Sequence, residues 1–155
     1  MKHTSLASMD CAIARTLDAV GEWWSLLIIR DAFLGARRFE EFKASGMADN
    51  ILAARLKRLT AEGILERRPY QARPVRHEYV LTEKGHALLP VIAALREWGK
   101  IWTTGPDARP PLIHEACGHT VTVALTCPHC KRNVAIAEVR AGDGSRAQAA
   151  VGADA

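Results

Sequence analysis

The stretch Asp49-Asn50-Ile51-Leu52-Ala53-Ala54-Arg55-Leu56-Lys57-Arg58-Leu59-Thr60-Ala61 decides how this chain is read. Leu52, Leu56 and Leu59 recur at the steps of four and three that place side chains on one face of a helix. Asn50, Ala53, Ala54 and Lys57 fall on the other face. A helix that is apolar within and carries small or hydrogen-bonding side chains without can enter a major groove, since bulk there would hold it off the base edges.

The neighbouring segments extend this into a unit spanning residues 37–82. On the N-terminal side, residues 38–44 read as a short helix with Phe39 and Phe42 inward, followed by a Ser45-Gly46-Met47 turn. Ala48 has no side chain able to cap the next helix, so Asp49 is expected to do so. Gly63 stands where a glycine ends a helix. Two strands are expected at 65–70 and 77–81, joined by Gln71-Ala72-Arg73-Pro74, where a proline fits a loop or edge.

Upstream, residues 11–20 read as a helix with Ile13, Leu17 and Val20 on one face and Asp10 at its cap; Gly21 ends it. Residues 22–33 form a second helix, apolar nearly all round and therefore central to the core. Downstream, Thr82 is a good cap for a long helix reaching Trp102, with Leu88, Val91, Ile92, Leu95, Trp98 and Trp102 in a stripe. Pro90 lies inside it, where a lost backbone bond and a ring clash cost roughly 3 kcal/mol, so a kink is expected. So large a stripe is more naturally buried against a second subunit.

With 155 residues the chain suits one ordinary domain and a small appendage. Its net charge of +4 is unevenly placed: residues 37–76 hold ten Lys or Arg against five Asp or Glu. Charge gathered in one segment is the footprint of a polyanionic partner, although a solvated surface explains many such runs. The start lacks an apolar leader and no stretch approaches the roughly 18 apolar residues of a membrane span, so a cytoplasmic protein without membrane contact is expected. Glycine-rich phosphate loops, His-Glu-x-x-His and Gly-x-Ser-x-Gly are lacking, which argues against an enzyme.

Gly105-Pro106-Asp107-Ala108-Arg109-Pro110-Pro111 is a linker by composition. Beyond it, strands are expected at 120–125 and 134–139, a disordered tail from 141, and no internal repeat. Cys117, His119, Cys127 and Cys130, with His114 nearby, match the donor types of a structural zinc site, but the first half lacks a Cys-x-x-Cys knuckle, and a disulfide or bare thiols compete with zinc. Cys11 stands apart; it is either a small buried hydrophobe or, at a helix start that lowers a thiol pKa, a redox sensor.

The order of motifs resembles the HxlR-type winged helix-turn-helix regulators, relatives of the MarR group. The likeness spans residues 11–102: Cys11, then Gly21-Glu22-Trp23-Trp24-Ser25-Leu26-Leu27-Ile28-Ile29-Arg30-Asp31, Gly35-Ala36-Arg37-Arg38-Phe39-Glu40-Glu41-Phe42, Leu56-Lys57-Arg58-Leu59, Glu62-Gly63-Ile64-Leu65, and Arg76-His77-Glu78-Tyr79-Val80-Leu81-Thr82-Glu83-Lys84-Gly85. It implies a mainly α fold with a small β-hairpin wing. Residues 1–104 would be the DNA-binding and dimerisation domain, 105–140 a small Cys/His-containing β extension, and 141–155 the tail.

The resemblance also implies a homodimer, paired through the first helix and helix 82–102, that binds a pseudo-palindromic double-stranded operator and represses or activates nearby genes, a repressor being the favoured expectation. Its recognition helices would lie about 34 Å apart. Asn50, Ala53 and Ala54 are assigned to base edges; Lys57, Arg58, Arg37 and Arg38 to phosphates; Arg73 and Arg76 to the backbone or minor groove from the wing. Arg30 and Arg55, beside buried stripes, are as well suited to internal ion pairs. Where relatives often carry Ser at 48, this chain has Ala48, which cannot cap; where a hydroxyl residue is common at 53, it has Ala53, so base reading at 53 would be by apolar contact. The competing class is a protein-binding adaptor with a degenerate winged helix, and a further variant is a regulator responsive to redox through Cys11 or to a small-molecule effector at the dimer seam.

Overall fold

Ile28 and Ile29 are wholly covered at the middle of a helix spanning Trp23–Phe33, and the first unit of the molecule is laid against them. The computed structural model describes residues 5–105 and 107–142, in two compact units that divide between Pro106 and Asp107. In the first unit the helices are α1 (Ala12–Val20), α2 (Trp23–Phe33), α3 (Phe39–Phe42, continued by a 3-10 turn at Lys43–Ser45) and α4 (Asp49–Ala61). An antiparallel hairpin follows, β1 (Leu65–Ala72) and β2 (Val75–Leu81), then α5 (Glu83–His86) and α6 (Leu89–Trp102). The fold is mainly α with a two-stranded wing.

The core is where the apolar faces meet. Leu52, Leu56 and Leu59 of α4 are fully buried with Phe42, Ile28, Ile29, Ile64 and Leu65. Gly46, at φ +80°, makes the turn between α3 and α4, a conformation that strains residues bearing a Cβ. Gly63, at φ +67°, ends α4 and sends the chain into β1. A polar tie anchors the turn: Ser45 Oγ donates to the buried Asp31 carboxylate, Arg30 Nε donates to the same carboxylate at 2.8 Å, and Arg30 Nη2 donates to Ser45 Oγ at 3.2 Å.

Both strands run longer than expected, leaving only Arg73 and Pro74 at the hairpin tip. Register runs from Leu65 opposite Leu81 to Ala72 opposite Val75, with a bulge that leaves Tyr70 as the extra residue. The Tyr79 N–H donates to the Arg37 carbonyl at 2.7 Å, stitching the start of α3 to the wing.

Three expectations fail for local reasons. The long helix from Thr82 is two helices: Thr82 Oγ1 caps α5 by accepting from the Gly85 N–H at 3.1 Å, but α5 stops at His86. His86 is four residues before Pro90, whose ring excludes the carbonyl at that place. Pro90 instead sits in the first turn of α6, where an N–H would have no intrahelical partner. Asp10 does not cap α1; Cys11 holds that position, with no side-chain cap. Asp49 does not cap α4 either, being its first helical residue, with Ala48 at the cap.

The second unit corrects the sequence reading more. Residues 121–125 form no strand, and 134–139 contain a 3-10 turn, Ile136–Glu138, in place of one. The strands are β3 (Thr126–Cys127) and β4 (Arg132–Asn133), antiparallel around a tight turn, with a separate antiparallel bridge between Ile113 and Thr120. The tail expected from 141 lies, beyond Gly142, outside the described residues.

Candidate nucleic-acid interface

The outer face of α4 is open. Asn50, Ala53, Ala54 and Lys57 are exposed in one row, directly opposite the buried leucines. No side chain closes the first turn of the helix, so its leading N–H groups point outward with the positive end of the helix dipole. Asp49 at that end binds Lys43, whose Nζ lies 3.1 Å from one carboxylate oxygen and donates to the other at 3.2 Å; these contacts hold the Lys43 pKa above its ordinary value.

Internal ion pairs sort the basic segment. Arg58 turns inward: its Nη2 donates to the Asp18 carbonyl and lies 3.7 Å from the Asp18 carboxylate and 3.9 Å from Glu62, tying α4 to α1. Arg55 pairs with Glu22 at 3.1 Å and Arg68 with Glu66 at 2.7 Å. Arg30 is committed to Asp31. Arg37, Lys57, Arg73 and Arg76 are exposed and make no ion pair among the described residues. Of the residues assigned to phosphate from the sequence, Arg58 is the one held in an internal ion pair, because the helix turn that exposes Lys57 carries its neighbour toward α1.

Arg38 is placed by a residue the sequence reading passed over. Its guanidinium lies over the Tyr70 ring, 4.6 Å from the centroid, and the bulge that follows Pro69 sets Tyr70 there. Proline inside a strand pattern was the available signal. Glu41 steadies the same corner by accepting the N–H groups of Arg37 at 2.6 Å and Arg38 at 3.0 Å; these bonds lower its carboxyl pKa. Among the described residues of the basic segment, the cations without an ion pair thus lie at the start of α3, on the outer face of α4 and on the wing.

In the second unit the zinc candidates form pairs. His114 Nδ1 is 3.1 Å from Cys117 Sγ, and the Cys130 N–H donates to Cys127 Sγ at 3.5 Å. Backbone N–H groups of Cys130 and His129 hold the Cys127 thiol below its ordinary pKa, while the neighbouring Cys127 raises that of Cys130. Cys117 is therefore partnered by His114 in place of His119. Among the described residues no three His, Cys, Asp or Glu side chains gather as a metal cage. Cys11 is exposed at the start of α1.

The sequence model of HxlR-like helix-turn-helix proteins matches residues 19–106. The chain belongs to the HxlR family. Among HxlR-like relatives, an uncharacterised HTH-type transcriptional regulator of Mycobacterium tuberculosis is 39% identical over 125 residues, 79% of this chain and 79% of that protein. The Bacillus subtilis regulator YvaP is 34% identical over 90 residues, 57% of this chain and 83% of its own. Of solved structures, the candidate transcription factor PA1607 superposes with a TM-score of 0.77 at 37% identity, covering 90% of this chain and 99% of that one. The reduced redox regulator HypR superposes at 0.55 with 32% identity, over 59% and 92%. This HxlR-family chain is a helix-turn-helix transcriptional regulator, and the family is one of regulators rather than enzymes. Among the described residues no helix is long and apolar enough to cross a membrane.

Proposed function

We propose that this regulator is a homodimeric repressor that reads a pseudo-palindromic operator through α4. The carrying observation is the exposed Asn50, Ala53, Ala54 and Lys57 row, with Arg37, Arg73 and Arg76 also exposed and making no ion pair among the described residues. In this reading Asn50 pairs with an adenine edge, Ala53 and Ala54 meet thymine methyls, and the cations hold phosphates. The uncapped start of α4 suits a further phosphate oxygen. Dimerisation is supported by the apolar side chains that α1 and α6 leave in solvent: Ile13 is 72% exposed, Trp98 60% and Trp102 71%. Large aromatics on a monomer surface mark a contact face.

A gel-shift titration with DNA from the gene's own upstream region, alongside light scattering, tests this reading. Salt-sensitive binding by a dimer is the expected result. A stable dimer that binds none of that DNA at low salt would support the adaptor class instead. A second reading adds a thiol switch, motivated by the exposed Cys11 beside the proposed seam. If oxidant changes DNA affinity equally in the wild type and Cys11→Ser, Cys11 is not that switch.

A further inference from the structure

The second unit contains one motif twice. Residues 112–121 read Leu-Ile-His-Glu-Ala-Cys-Gly-His-Thr-Val and residues 125–134 read Leu-Thr-Cys-Pro-His-Cys-Lys-Arg-Asn-Val, the second copy lying thirteen residues after the first. Leu, Cys and Val coincide at three places, too sparse a match to stand out in the sequence. The backbone makes the repeat plain. The Val121 N–H donates to the Leu112 carbonyl at 3.0 Å, and the Val134 N–H to that of Leu125 at 2.8 Å. At the turns, the Gly118 N–H donates to the His114 carbonyl at 2.8 Å and the Lys131 N–H to that of Cys127 at 2.9 Å. Gly118 and Lys131 share the left-handed conformation, at φ +71° and +55°. Ile113 bridges Thr120 as Thr126 pairs with Asn133.

In this correspondence His114 takes the place of Cys127, and Cys117 that of Cys130. His119 takes the place of Arg132, on the outgoing arm, where it offers its carbonyl to the His114 N–H at 2.8 Å. Each turn therefore presents two soft donors three residues apart, followed by a left-handed residue, and the two turns together supply one nitrogen and three sulfurs.

Among its described residues the unit also has no apolar interior. None of residues 107–142 is buried: Leu112, Cys127 and Val134 are half-covered, and Val121, Val123 and Leu125 stand in solvent. All its cysteines are free thiols. A segment of this size whose described residues show neither a core nor a disulfide needs another cross-link to hold one fold.

We propose that the two turns are the halves of a structural zinc site whose ligands are His114, Cys117, Cys127 and Cys130. The donors stand as two pairs, and a tetrahedral ion would join pair to pair and so cross-link the unit. Binding Zn²⁺ takes one proton from each of the three thiols and none from a neutral His114 ring, with no change of oxidation state. Four protein ligands leave no open position, so the site is structural.

The test uses the full chain, zinc alone, elemental analysis and a thiol-labelling reagent. One zinc per chain is expected, lost in His114→Ala and Cys130→Ser and kept in His119→Ala. Labelling of the wild type guards against variants that fail to fold: Cys11 should react fast alone, and a chelator should make Cys117, Cys127 and Cys130 each react faster than before its addition. Absence of stoichiometric zinc in the wild type overturns the proposal, as does equal reactivity of the four thiols before chelation. Dependence on His119 in place of His114 overturns the ligand set, and loss of two thiols that a chelator does not restore would show a disulfide instead. None of these outcomes depends on DNA binding.

Discussion

Replacing Lys57 by alanine in the proposed dimer removes two exposed cations that make no ion pair among the described residues. Each phosphate contact contributes about 0.9 to the slope of log affinity against log salt, so the slope should fall in magnitude by about 1.8. Over a rise from about 50 to about 200 mM salt, the wild type should then lose roughly tenfold more affinity than the variant. Arg58→Ala is the matched control on the adjacent residue. Its guanidinium is engaged with Asp18 and Glu62, so removing it should leave the salt slope unchanged and lower the melting temperature by loosening α1 from α4. Fluorescence anisotropy on one operator fragment at several salt concentrations, with thermal melts, gives both quantities. An unchanged slope for Lys57→Ala would put the outer face of α4 away from the phosphates. A reduced slope for Arg58→Ala with unchanged melting would show that Arg58 faces DNA.

Leu56→Ala opens a cavity at a wholly buried site and should destabilise the first unit by about 2–5 kcal/mol in urea unfolding, whereas Ala54→Ser on the outer face should change stability little. At Gly85 an added Cβ would press on the Ile64 carbonyl oxygen and come within 2.8 Å of Leu81 Cδ2, so Gly85→Ala should lower stability by about 1–3 kcal/mol; a neutral result would show that α5 shifts freely from the wing. The Glu41 pKa is lowered in the folded chain, so its stabilisation is complete above its ordinary value of 4.5 and is lost as pH falls through the lowered value. The melting-temperature gap between wild type and Glu41→Gln should therefore close in acid; solvent screening keeps it small even at neutral pH, and a gap that widens in acid contradicts this assignment.

Periodicity made most of the first unit legible. The span of α4 was readable to the residue, because three leucines at helical spacing, Gly46 before them and Gly63 after them are local signals that agree. Helix stops were harder. Pro90 was visible, but whether it kinks one helix or begins another depends on whether the chain turns at Ala87 and Leu88, and that turn is set where Gly85 packs on Ile64. Tyr70 and the bulge escaped notice because alternation alone does not reveal an inserted residue. In the second unit, the apolar alternation at Val121, Val123 and Leu125 suggested a strand that did not form, while the true pairing was set by two short turns.

By itself the sequence determined the helix-turn-helix, its inward leucines and its outward alanines, since helical period and glycine turns act over a few residues. Only the tertiary structure decided which cations remain free. Arg55, Lys57 and Arg58 are neighbours of equal charge in the sequence. Their side chains leave the helix at different angles, two toward carboxylates on α1 and at the start of α2 and one toward solvent. His114 became the partner of Cys117 for the same kind of reason. Spacing along a chain names the donors, and the fold of the backbone between them decides which ones meet.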